Sequence, residues 1–184
     1  MQILCFGDSN TYGYDPRDFF GGRYDAEDRW VDILANKTGH DWIQAGANGR
    51  QIPRDPYALR ERAPVDIVLV MLGANDLLQG ATAKEAAARM EAFLTILRPH
   101  CGKLLLVAPP PMKRGAWVSA DALVVESIRL GEEYGLLARR LDIPFVDTRD
   151  WKIDLAFDGV HFTEAGHHTF AENLRMELRR LSGA

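Results

Sequence analysis

Five short apolar runs, at 3–6, 42–44, 67–71, 104–108 and 145–146, alternate along this chain with stretches whose apolar residues recur at helical spacing. Those helical stretches fall at 29–37, 56–62, 83–97, 120–141 and 163–181. Strand followed by helix, repeated along the chain, points to an α/β protein: a parallel sheet with helices on both faces. With 184 residues, 47% of them hydrophobic and 26% charged, residues 1–184 read as one domain with a full core and need no second one. In open sheets of this class ligands bind outside the carboxyl ends of the strands. The residues that directly follow each apolar run are therefore the first to inspect.

Ser9 directly follows the first run, in Gly7-Asp8-Ser9-Asn10. Near the other end of the chain stands Asp158-Gly159-Val160-His161. A serine hydroxyl is a weak nucleophile at neutral pH; it needs an imidazole to take its proton and a carboxylate to hold that imidazole in the right tautomer. Asp158 and His161 lie three apart in a segment that Gly159 lets turn tightly, so one short loop holds both partners. A tetrahedral intermediate also needs donors aimed at its oxyanion, from backbone N–H groups or an Asn amide. The second run leads into Gly46-Ala47-Asn48-Gly49 and the third into Gly73-Ala74-Asn75-Asp76, which makes Gly49 and Asn75 the candidates. These pieces make a hydrolase the leading reading.

Gly-Asp-Ser near the N-terminus, a glycine after the second strand, Gly-x-Asn-Asp after the third and Asp-x-x-His near the C-terminus occur here in that order. The set resembles the SGNH or GDSL-type hydrolase superfamily, and the resemblance runs from Ile3 to about Glu164. It implies a flavodoxin-like three-layer α/β/α sandwich with a five-stranded parallel sheet in the order 2-1-3-4-5. It also implies Ser9 as nucleophile, Asp158 and His161 as its partners, and an oxyanion hole made of the Ser9 and Gly49 backbone N–H groups and the Asn75 side chain. Gly46 competes with Gly49 for that place; Gly49 is preferred because it ends an Asn-x-Gly-x-x-Gly-like stretch, although the leading Asn is missing. Asn10 stands where the pattern that names the family has Leu.

Gly7 to Tyr14, Arg29-Trp30 and Asp158 to Glu164 look most like the bacterial arylesterase and acyltransferase branch. The expected activity is hydrolysis of short-chain esters, acetyl-like or aryl, through an acyl-enzyme. Acyl transfer or carbohydrate O-deacetylation on the same triad is the alternative, and a homo-oligomer is compatible with the resemblance. This chemistry calls for no metal and no organic cofactor. Asn10, Tyr14, Trp117, Phe157 and Val160 are the candidate substrate-pocket residues, drawn from the catalytic segments and from the long loops over residues 11–28 and 109–118.

Other readings of the same residues are structural. Asp8 and Asp76 flank catalytic positions and are expected to hydrogen-bond loop backbone at the strand ends. His167 and His168 lack the i, i+4 spacing of a helical metal pair and are expected to be surface or capping residues. The formal net charge of −4 and scattered arginines argue against nucleic acid as a partner. The apolar runs are far too short to span a bilayer, and no secretory signal pattern opens the sequence. Cys5 and Cys101 read as free or buried thiols, for which a reducing cytoplasm is the default.

Overall fold

The computed structural model describes residues 1–18, 20–55, 59 and 65–182. At its centre lies a sheet of β1 (Gln2–Gly7), β2 (Asp41–Gly46), β3 (Ile67–Met71), β4 (Lys103–Val107) and β5 (Phe145–Val146). All four pairings are parallel and the spatial order is β2-β1-β3-β4-β5, as the resemblance implied. The order reverses at β1, so the crevice between the carboxyl ends of β1 and β3 is the topological switch point.

Helices α1 (Ser9–Tyr12) and α3 (Ala74–Leu78) sit directly on the ends of β1 and β3. The longer helices are α2 (Trp30–Thr38), α4 (Ala83–Leu97), α5 (Asp121–Leu141) and α6 (Glu164–Ser182). One face of the sheet presents Ile3, Cys5, Leu69, Met71, Leu105 and Val107 to Trp30 and Leu34 of α2 and to Phe170 and Leu174 of α6. The other face packs Leu4, Phe6, Val68, Val70, Leu104 and Leu106 against Met90 and Phe93 of α4 and Leu130 and Tyr134 of α5. With both faces covered, every position of a central strand after its first residue is buried, which is why these runs are continuously apolar rather than alternating.

The helix ends follow local chemistry. Thr82 and Glu85 form a reciprocal capping box at the start of α4. Thr163 Oγ1 accepts the Gly166 N–H at 3.0 Å at the start of α6, the capping role its sequence position suggests. Helices α1 and α3, of four and five residues, are too short to show a periodicity and were not expected from sequence. The helix expected over 56–62 lies outside the described residues apart from Leu59, which is buried in the core.

His167 departs from expectation. His168 is a surface residue whose Nε2 pairs with Asp28 Oδ1 at 2.8 Å, but His167 is fully buried. Its ring meets Tyr24 and Phe162 edge-on, and among the described residues neither ring nitrogen has a hydrogen-bond partner. Residues 167, 170, 171 and 174 share one helical face, so its neighbours in the core are Phe170, Ala171 and Leu174. Burial, reinforced by the charges of His168 and Arg29, pushes the imidazole down to about 3. An unfolded histidine titrates near 6.5, so as pH falls from about 6.5 toward 3 the unfolded chain takes up a proton that the native state refuses. This contribution to stability is complete above about pH 6.5 and is lost on acidification. The Tm of His167→Leu should therefore gain on that of the wild type as pH is lowered from 7.5 to 4.5; a Tm difference that stays constant over that range would contradict this account.

Candidate active site

Ser9 is the first residue of α1. The Asp8 carboxylate caps that helix by accepting the Asn10 N–H at 3.0 Å, and Gly13, at φ 84°, closes it by donating its N–H to the Ser9 carbonyl. A single helical turn has little stability of its own and must be held by its neighbours. The buried Trp30 indole donates to the Asn10 carbonyl at 2.9 Å. Gly46, ending β2, approaches so closely that a Cβ there would lie 2.3 Å from the Tyr12 nitrogen. Burial pushes the Asp8 carboxyl up to about 6, against the opposing pull of the Asn10 N–H, His161 and Arg50.

The facing loop is built around Asp158. Its Oδ1 accepts the backbone N–H groups of Val160 at 2.8 Å and His161 at 2.9 Å, and its Oδ2 lies 2.6 Å from His161 Nδ1. Burial pushes the Asp158 carboxyl up, but the hydrogen bonds from the His161 ring and from these two backbone groups outweigh it and hold it below its ordinary value. A carboxylate only accepts, so Nδ1 carries the proton and Nε2 presents a lone pair. That lone pair meets Ser9 Oγ at 2.8 Å. Ser9, Asp158 and His161 are all buried, and 152 residues of sequence separate Ser9 from His161.

A second loop straps this one down. The backbone N–H groups of Lys113, Ala116 and Trp117 donate to the carbonyls of Gly159, Phe157 and Asp158, each at 3.0 Å. The two backbones approach so closely that Gly159, at φ 84°, has room for no side chain: a Cβ there would sit 2.1 Å from the Lys113 carbonyl oxygen. On the other flank, Asn75 in the first turn of α3 donates its amide to the Arg50 carbonyl at 3.1 Å. Arg50 lies over the Phe6 ring and donates to the carbonyl groups of Gly7, at 2.8 Å, and Ala45. Asp76, fully buried, accepts the Ile52 N–H at 3.0 Å and the Arg89 guanidinium at 2.9 Å. Asp8 and Asp76 thus do the backbone-tethering work expected of them.

These elements enclose a cleft of about 260 Å³ over Ser9 and His161, lined further by Tyr14, Gly21, Asn48, Gly49, Asn75 and Trp117. Tyr14 and Trp117 stand edge-on to the His161 ring at centroid distances of 4.7 and 5.0 Å. The triad candidates, Gly49, Asn75, Tyr14 and Trp117 are thereby brought together. Three expected pocket residues are not. Phe157 is exposed and borders a separate groove with Pro16 and Tyr24, because its carbonyl is bound to Ala116 and its side chain turns away from the cleft. Val160 turns into the hydrophobic core. Asn10 spends its side chain on the backbone of the catalytic loop. Gly21, Asn48 and the positioning contacts of Arg50 were missed in the sequence; the polar Asn48 between Ala47 and Gly49 was the available signal for one of them.

A family model described as the GDSL-like lipase/acylhydrolase family matches residues 5–169. The chain belongs to that family. Solved structures similar to this hydrolase over nearly their whole length include a carbohydrate acetylesterase family member from Sinorhizobium meliloti. That structure shares 29% identity at a TM-score of 0.86, covering 100% of this chain and 99% of the other. An aryl esterase from M. smegmatis shares 27% identity at a TM-score of 0.85, covering 98% and 99%. The carbohydrate acetylesterase Est24 from Sinorhizobium meliloti shares 25% identity at a TM-score of 0.83, also covering 98% and 99%. Among curated proteins no significant match is found. This GDSL-like protein is a carboxylic ester hydrolase of the SGNH type acting on a small-molecule ester, and among its described residues no helix is long and apolar enough to cross a membrane.

The backbone approach at Gly159 gives a direct test of the strap. Gly159→Ala must relieve both the left-handed φ and the clash with Lys113. It should lose about 1–3 kcal/mol in denaturant unfolding together with most of the esterase activity. Wild-type stability in that variant would show that the two loops are not packed as described.

Proposed function

We propose that this hydrolase cleaves short-chain carboxylic esters, acetyl-like or aryl, through a covalent acyl-enzyme on Ser9. The observation that carries the reading is the chain of two short hydrogen bonds, 2.8 Å from Ser9 Oγ to His161 Nε2 and 2.6 Å from His161 Nδ1 to Asp158 Oδ2. Ser9 Oγ attacks the ester carbonyl while His161 Nε2 takes its proton, and the ionised Asp158 steadies the imidazolium that forms. The oxyanion is held by the backbone N–H groups of Ser9 and Gly49 and by Asn75, whose amide is already oriented by the Arg50 carbonyl. His161 then protonates the departing alkoxide, leaving the acyl group on Ser9. Water, deprotonated by His161, releases the acid and restores the serine.

The size of the cleft supports a short acyl group, since about 260 Å³ must also admit part of the alcohol. The exposed Trp117 at its rim supplies an aromatic surface for the alcohol, either an aryl ring or the apolar face of a sugar. The names of the similar structures, carbohydrate acetylesterase and aryl esterase, support both alcohol classes. Transfer to an acceptor alcohol instead of water would use the same intermediate. A reducing, cytoplasmic setting belongs to the same proposal and is supported by the two free cysteines, Cys5 and Cys101.

Ser9→Ala should fold normally and lose roughly 10⁴ or more in kcat. A serine-directed fluorophosphonate should label Ser9 alone, as read by peptide mass spectrometry; label on another serine, or near-normal turnover in the variant, would remove the mechanism. Asn75→Ala should lower kcat by about 10²–10³ with little change in KM, the pattern of a lost oxyanion donor. A raised KM at constant kcat would make Asn75 a ground-state binding residue instead. On aryl and sugar esters from acetyl to octanoyl, kcat/KM should be highest at the short end; a maximum at octanoyl would refute the short-acyl assignment.

A further inference from the structure

Asn10 adjoins the proposed nucleophile, yet its side chain does not face the cleft. Only 5% exposed, it reaches across to the catalytic loop. Its Nδ2 donates to the Val160 carbonyl at 3.1 Å and its Oδ1 accepts the Phe162 N–H at 2.9 Å. These are the backbone groups immediately before and after His161. The residue's own backbone is equally committed: its N–H goes to Asp8 Oδ1 and its carbonyl takes the Trp30 indole N–H. One buried side chain thus grips the loop on either side of the imidazole from a backbone fixed to the serine.

We infer that Asn10 is a positioning residue that sets the Ser9–His161 distance, a role that rests on the triad reading above. Apart from it, the described contacts between the two segments are the Ser9–His161 hydrogen bond itself, the edge-on Tyr14 ring on His161, packing, and the exposed Arg17–Glu164 pair, none of which holds the backbone on both sides of the imidazole. Both loop contacts need a planar group that donates on one side and accepts on the other. The primary amide of Asn does this at the right length, whereas Leu, the residue of the pattern that names the family, can do neither. A leucine here would leave the Val160 carbonyl and the Phe162 N–H buried and unpaired, and the loop would shift to satisfy them. A shift on the scale of 1 Å at reacting atoms costs on the order of 10²-fold in rate.

The decisive variants are Asn10→Leu and Asn10→Asp, measured beside Ser9→Ala with an aryl acetate and with a fluorophosphonate. Asn10→Leu should lose about 10²-fold in kcat with KM changed by less than about 3-fold, and labelling of Ser9 should slow in parallel. Asn10→Asp is isosteric and guards against a Leu variant that fails to fold. Its buried carboxyl, facing a carbonyl, is favoured in the neutral form. While protonated, it reproduces both contacts; once ionised, it has no proton for Val160. The kcat of Asn10→Asp relative to wild type should therefore be highest at the acid end of the measurable range and fall by about 10-fold or more as rising pH ionises the carboxyl. Two results would overturn the clamp: Asn10→Leu keeping kcat within about 3-fold of wild type, or an Asp-to-wild-type ratio that is flat with pH while only Tm moves. An active Ser9→Ala would instead overturn the nucleophile assignment and this role with it, whereas an inactive Ser9→Ala beside a fully active Asn10→Leu would overturn the clamp alone.

Discussion

One carboxylate organises the proposed catalytic centre. Asp158 gives one oxygen to the loop and the other to the imidazole, so the group that orients His161 is also the group that folds the segment bearing it. A buried carboxylate without partners would be neutralised by its surroundings. Here its donors, the His161 ring on one oxygen and two fixed backbone groups on the other, hold it ionised. Because the two backbone donors belong to Val160 and His161, orienting the ring and closing the turn are one event. The strap from residues 112–118 and the Asn10 grip act on a loop already shaped from within.

The sheet makes this arrangement possible by bringing distant segments to one edge. β1 delivers Ser9, β2 leads to Asn48 and Gly49, and β3 delivers Asn75, all at carboxyl ends that open on the same side. Each delivery is followed by a very tight local structure. The single-turn helix α1 sits against Gly46, and α3 opens after Gly73, whose φ of 120° and contact with the buried Tyr134 hydroxyl leave no space for a side chain. The strands bury their apolar residues against helices on both faces, and the absence of side chains at the strand ends lets backbone groups come near the reacting atoms.

Much of this was legible in the sequence for physical reasons. Strands β3 and β4 are buried on both faces and so read as the unbroken apolar runs at 67–71 and 104–108, and the long helices carry a full amphipathic period. The proposed site was legible because Ser9, Asn75, Asp158 and His161 each lie at a strand end or in a turn with its own local signature. What stayed hidden depends on contacts between remote segments. Nothing near Asn10 in sequence indicates that its amide meets residues 150 and 152 positions away, and it was read as a pocket residue because it follows the serine. Phe157 and Val160 were misread for a related reason: in a tight turn, neighbours in sequence point to opposite sides. The burial of His167, by contrast, is legible in the sequence, since its spacing to Phe170, Ala171 and Leu174 marks the buried face of α6.

The strap also couples two properties that enzymes often keep separate. Trp117 forms part of the wall of the cleft, yet its backbone N–H is bonded to the Asp158 carbonyl. The wall that meets the substrate and the acid that orients the base therefore share one rigid unit. Exchanging this loop for one of another length or shape would disturb the proton-transfer machinery along with the pocket. A change of substrate choice is therefore met with least disturbance by replacing side chains at fixed backbone positions such as Tyr14 and Trp117, or at Gly21, which lines the cleft and has no described backbone bond to the catalytic turn.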